Sequence, residues 1–185
     1  MKRVLIALAV LLGAAPAAAH GGAAALFDAA PYADHWFLPV GLSAQLLASS
    51  ETTFLDEGLE ISVHHFPPAS GRTDSLWGFG AYTQLQVGGL DLQHEERDPH
   101  LRWALGGQAT WSLLGCQLGM AQRAFVQDHA DAFDVTGAVF VSIGILSAGF
   151  HAEAPVIHVG DGTRQVPAFG GMLTLKYPFD LGRGR

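Results

Sequence analysis

The sequence predicts an all-β protein, an eight-stranded antiparallel up-and-down β-barrel that spans a membrane. Apolar residues alternate with small or polar ones at period two through segment after segment, the pattern of strands with two unlike faces. Only 15% of the 185 residues are charged, against 49% hydrophobic, whereas a soluble domain carries about 25% charge. The charges inside the alternating segments, Glu60, Arg102, Arg123, Glu153 and Lys176, all fall on the small or polar face, together with His64 and His151.

The chain opens with a basic Met1-Lys2-Arg3, an apolar run from Val4 to Gly13 and the small residues "APAAA". This predicts a secretory signal peptide over residues 1–19, cleaved after Ala19. The apolar run is shorter than the roughly 20 residues of a spanning helix. Residues 20–35 show no clean period and read as a periplasmic N-terminal tail, with the barrel over 36–179 and a C-terminal tail over 180–185.

A first strand begins at Trp36, with Trp36, Leu38, Val40, Leu42, Ala44, Leu46 and Ala48 on its apolar face; the polar "SSETTFLDEG" reads as a loop. The second strand, Gly58 to Phe66, sets Leu59, Ile61 and Val63 against Glu60, Ser62 and His64. "PPASGRTDS" is turn chemistry. A third strand, Leu76 to Val87, puts Trp77, Phe79, Ala81, Leu85 and Val87 on one side, and "DLQHEERDPH" follows as a charged loop. The stretch Leu101 to Gln127 alternates through two runs around a minimal turn, a β-hairpin that supplies strands four and five. After the loop "DHADAFD" come a sixth strand (Val135 to Ile145), a tight turn near Leu146, a seventh (Ala148 to His158), the loop "GDGTRQVP" and an eighth (Ala168 to Phe179). Short turns at one end and longer polar loops at the other are the asymmetry of outer-membrane barrels; the link between strands two and three is the exception.

The apolar face must point outward. An eight-stranded interior is only wide enough to be filled by side chains or to hold one small ligand, too little for the large residues of that face, which include four tryptophans. The opposite face, rich in Gly, Ala, Ser, Thr and Gln, is unlike a water-facing surface. Trp36, Trp77, Trp111, Phe150, Tyr177 and Phe179 fall near the rim with the short turns and Trp103 near the other, as interfacial aromatic girdles do.

On these features the stretch from Trp36 to Phe179 resembles the small eight-stranded outer-membrane proteins of Gram-negative bacteria, the class that includes the OmpA transmembrane domain, OmpX and OmpW. The terminal "GGMLTLKYPF" is similar to the assembly signal of that class, from which it departs at Pro178 and in the "DLGRGR" that follows Phe179. The resemblance implies a bacterial outer-membrane location, contact with outer-membrane lipids and lipopolysaccharide, and handling by the barrel-assembly machinery.

Glu60, His64, Arg102, Arg123, His151, Glu153 and Lys176 are expected to form a polar network filling the lumen, because buried charges need partners. His64, His151 and Glu153 with Ser62 or Tyr82 show no Ser-His-acid spacing, so no catalytic site is assigned. His94, Glu95, Glu96, Asp98, His100, Asp128, His129, Asp131 and Asp134 offer cation-ligand chemistry but read as solvated acidic loops. His20, which cleavage would expose, is a candidate copper chelator without supporting residues downstream. No metal and no cofactor are assigned, and the formal charge of −7 argues against nucleic acid. The expected function is non-enzymatic: a structural or surface-interaction role, with the outer loops meeting a surface ligand. The alternatives are narrow porin-like transport of small solutes or hydrophobic compounds and, third, a lipid A-modifying enzyme.

Overall fold

The structure, a computed structural model, describes residues 34–50, 52–67, 77–91, 97–126, 130–161 and 164–183. The expected signal peptide, His20, most of the N-terminal tail, and His94, Glu95, Glu96, Asp128 and His129 lie outside the described residues.

Eight strands follow one another, β1 (His35–Ala48), β2 (Thr53–Phe66), β3 (Trp77–Asp91), β4 (Arg97–Trp111), β5 (Leu114–Phe125), β6 (Asp131–Ile143), β7 (Leu146–Val159) and β8 (Ala168–Arg183). Each pairs antiparallel with the next, and β8 pairs with β1, closing an up-and-down barrel. Two-residue turns join β4 to β5 and β6 to β7. The first central residue of each, Ser112 (φ 55°) and Gly144 (φ 61°), has the positive φ that matches hairpin turns to strand twist.

Paired residues lead round the wall from Phe37 through His64, Gly80, Gln108, Gln117, Ala138, His151 and Gly170 to Leu47. One circuit therefore climbs ten residues along β1. For eight strands that stagger corresponds to a tilt of about 40° and a lumen that side chains can fill.

The two faces of the wall are chemically inverted relative to a water-soluble barrel. Nineteen polar or charged residues are buried inside, while the outward face exposes thirty large hydrophobic side chains among the described residues. Room inside comes from inward glycines and alanines. A Cβ on Gly115 would stand 2.3 Å from the Phe140 ring, so β5 stays bare where β6 inserts an aromatic.

The strands reach further than their composition suggests. β2 starts at Thr53 instead of Gly58, β3 runs on to Asp91, β4 starts at Arg97 and β6 at Asp131. β1 starts one residue early at His35, and β8 continues past Phe179 to Arg183. The polar residues in these extensions alternate inward, where Asp56, His100 and Asp134 are buried, so a loop-like composition marks a lumen-facing strand end. The loop asymmetry is correspondingly weaker. At the end opposite the two tight turns the links are four, five, five and eight residues, and the ten-residue link between β2 and β3 is the longest of all.

Gly115→Ala should lower stability by about 1–3 kcal/mol through overpacking against Phe140. Gly171→Ala, which faces outward with nothing within 4 Å, should stay within about 0.5 kcal/mol of the parent. Denaturant midpoints of the two folded variants check the contrast.

Candidate functional site: the polar lumen

Period-two alternation on a tilted, staggered wall brings side chains from distant strands to one level. Glu153 on β7 is the hub of the upper lumen, the end away from the tight turns. Its Oε1 accepts a hydrogen bond from Arg102 Nε at 2.6 Å, and its Oε2 accepts one from Arg123 Nη2 at 2.9 Å. Arg123 Nη2 also donates to Asp56 Oδ2 at 3.0 Å, and Asp56 Oδ1 lies 2.8 Å from His100 Nε2. His151 Nε2 is 3.2 Å from Glu153 Oε1 and 2.5 Å from Thr136 Oγ1. Phe54 and Phe125 flank His100, with ring centroids 5.2 Å and 4.9 Å away.

Glutamines continue the network downward. Arg102 Nη1 donates to Gln84 Oε1 at 2.9 Å and Gln86 Oε1 at 2.7 Å. Gln86 Nε2 reaches Ser43 Oγ, and Gln45 Nε2 reaches both glutamine oxygens from β1. Gln84 Nε2 donates to Glu60 Oε2 at 2.9 Å, while Lys176 Nζ donates to Glu60 Oε1 at 2.6 Å. Gln117 bridges Glu60 and Gln108. Gln108 Nε2 lies 3.1 Å from His64 Nδ1, and His64 Nε2 lies 2.9 Å from Thr110 Oγ1. With Nδ1 accepting, His64 is the Nε2–H tautomer. Bonded side chains thus run without a break from Thr110 near the tight turns to His100 near the opposite rim.

All seven residues singled out for the lumen point into it. Glu60 and Arg102 are 0% exposed, and Lys176 is the most accessible, at 13% for its side chain. Burying ions is costly unless each is paired and hydrogen-bonded. Here Arg102, Arg123 and Lys176 each have a carboxylate partner. Sequence reasoning missed Asp56, His100 and Asp134, read as loop residues; the glutamines Gln45, Gln84, Gln86, Gln108 and Gln117 fell on the inward face but were not named as members of the network. The glutamines left a signal in their recurrence at alternate positions of the polar face. Asp56 and His100 left none, since their meeting depends on the β2–β3–β4 register.

Of the candidate acid–base set, His151 meets Glu153, but the rest is not brought together. His64 and His151 sit in separate parts of the network with threonine partners, and neither meets Ser62 or Tyr82. Asp131 accepts a hydrogen bond from the Phe125 backbone N–H, while His100 and Asp134 are buried. No group of three or more metal-ligating side chains occurs among the described residues.

Trp36, Trp77, Trp103, Trp111 and Phe179 are exposed on the outer face; Tyr177 is half-buried beside Phe179, ring centroids 4.9 Å apart. Trp103 Nε1–H donates to Thr83 Oγ1 at 3.0 Å, and Thr83 in turn donates to the Ala104 carbonyl, so this outward hydroxyl is satisfied within the wall. Phe150, paired with Val139 and Gly171, stands above the lower rim because the stagger lifts β7 relative to β1. At the upper mouth Ser49, Thr52, Phe54, Arg123, Gln165, Val166 and Ala168 line a cavity of ≈ 20 Å³, room for about one water.

Comparison with protein-family models, with curated proteins and with solved structures returned no match.

Arg102→Met should destabilise the barrel by about 3–5 kcal/mol, because it strips a buried carboxylate of a partner. Adding Glu153→Gln should cost less than the sum of the two single changes, a coupling that equilibrium denaturation of the four proteins would measure.

Proposed function

We propose that this barrel resides in the outer membrane of a Gram-negative bacterium, with a closed lumen and a structural or surface-contact role exercised through the loops at its upper end. The observation that carries the reading is the inverted wall, with charged and amide side chains buried inside and, among the described residues, thirty large apolar side chains exposed outside. Leaving such a side chain in water forgoes about 1.5–3 kcal/mol relative to burying it, whereas hydrocarbon removes that penalty. The aromatics support the same reading. Trp103 and Trp111 on β4 are eight residues apart, about 20 Å along the axis at this tilt, close to the height of the apolar band of outer-membrane barrels.

The start of β1, His35, and the end of β8, Arg183, both lie at the end with the tight turns. The proposal puts that end in the periplasm, reached through the expected signal peptide and the barrel-assembly machinery. It turns the other four links toward lipopolysaccharide and the cell exterior. A conducting or lipid-modifying role has weaker support. The Arg102–Glu153, Arg123–Asp56 and Gln117–Glu60 bonds each span three strands and cross the lumen directly, and the hydroxyls beside the lumen histidines, on Thr110 and Thr136, are committed to them.

The protein should fractionate with outer membranes and run at different gel mobilities unheated and heated; recovery as a folded monomer in plain buffer would end the membrane reading. In planar bilayers it should give no stable conductance steps, and their appearance would favour transport. Depth provides a further check. Val139→Arg, at mid-wall, should cost roughly 2–4 kcal/mol of folding free energy in lipid vesicles, against about 0–1 kcal/mol for Val126→Arg beyond the end of β5.

A further inference from the structure

Seven of the eight strand seams are joined by a link of ten residues or fewer. The eighth, between β1 and β8, is not, and its side-chain contacts span 145 to 148 residues of chain. A hairpin turn sets the register of the strands it joins; this seam has none. Its register nevertheless matters for every inward residue of β8. A one-residue slip would carry Lys176 to the apolar outside, and a two-residue slip would move it off the level of Glu60, its partner at 2.6 Å.

The residues beyond Phe179 fill this gap. The ladder pairs Phe37 with Asp180, then Trp36 with Gly182 and His35 with Arg183, leaving Leu181 as the extra residue of a bulge. Gly182 has φ 92°, a backbone that side-chain-bearing residues rarely adopt. This turns its N–H back to Asp180 Oδ1 at 2.7 Å. The carboxylate so held accepts His35 Nδ1–H, at 3.1 Å and 3.0 Å to its two oxygens. Arg183 Nε–H donates to the other ring nitrogen, His35 Nε2, at 3.4 Å. One imidazole is thus gripped from both sides by residues three apart on β8, and the grip fits only one alignment of the strands.

We propose that Asp180, Gly182 and Arg183 form a clasp on His35 that sets the register in which the last strand closes the barrel against the first. The chain past Phe179 is then part of the closure mechanism and not a tail. Bulges fix strand alignment because the extra residue fits at one place only, and the side-chain grip adds a second constraint at the same place.

The test traps register by disulfide formation in a Cys116→Ser background, with the full chain refolded in detergent. Ser43→Cys with Thr174→Cys reports the native alignment, since Ser43 pairs with Thr174. Ser43→Cys with Met172→Cys, or with Lys176→Cys, reports slips by two residues that keep each face inward. With the clasp intact the native pair should cross-link in nearly all folded molecules. Combining His35→Ala with Asp180→Ala should raise the slipped products by about threefold or more, the scale expected for losing a few exposed polar contacts. Gly182→Val, which leaves the His35 and Asp180 side chains in place, should do the same by straightening the bulge. Unchanged cross-link yields in both variants would overturn the proposal even if their unfolding midpoints fell, since lower stability alone does not move register.

Discussion

Glu153 holds two arginines from neighbouring strands, Arg102 at 2.6 Å and Arg123 at 2.9 Å, with no exposed atom of consequence among the three. An ion triad of this kind exists only if its strands reach it in one register, and here it holds although Arg123 Nε and the adjoining His151 Nδ1 are buried without a hydrogen-bond partner among the described residues. Register and network therefore depend on each other. The ladder places Arg102 opposite Arg123 across β4 and β5, an arrangement that repels unless Glu153 comes between them. Glu153 arrives through the β6–β7 and β7–β8 pairings. Displacing any of these strands by one residue would put charges on the apolar face and break the triad at once.

Filling the lumen is the second half of the same constraint. Long side chains that cross the interior need bare backbone opposite, and the bare positions are specific. A Cβ on Gly88 would stand 2.2 Å from Asp56 Oδ1 and 2.4 Å from the His100 ring. Tyr82 likewise clusters with Ala104 and Ala121, and a Cβ on Gly119 would come 2.7 Å from its hydroxyl. The 23 glycines of the chain are thus partly a record of where arginines, glutamines and aromatics cross the barrel. The outward face needs no such matching, and its glycine at position 171 meets nothing within 4 Å.

How much of this was legible in the sequence follows from the range of each interaction. Strand number, order and facing come from alternation within single segments, and Glu60, Arg102, Arg123, Glu153 and Lys176 show their inward direction by parity alone. Strand ends were less legible. Asp56, His100 and Asp134 sit in stretches whose composition resembles loops, and only cross-strand pairing distinguishes a lumen-facing aspartate from a solvated one. Partners were not legible at all. That Lys176 meets Glu60, 116 residues away, depends on a ten-residue stagger that no local pattern encodes. Phe150 shows the same limit. Its place in its own strand suggested the lower rim, but height in a sheared barrel depends on how many strands lie between it and the reference strand.

A lumen committed to its own pairing leaves the ends as the places where this barrel can differ from another. The upper end is tied to the network and does not simply surmount it. Gln165, in the link between β7 and β8, accepts from Arg123 at 3.3 Å, donates to the Ala130 carbonyl, and receives His158 at its own carbonyl. Asp131 caps the Phe125 N–H, and Ser49 closes the β1–β2 turn on Thr52 through both backbone and hydroxyl. Arg123 therefore connects Glu153 and Asp56 below to the rim above. A change that weakens the triad loosens a loop anchor as well, and a ligand that orders the rim would in turn favour the alignment of Arg123 with its two carboxylates.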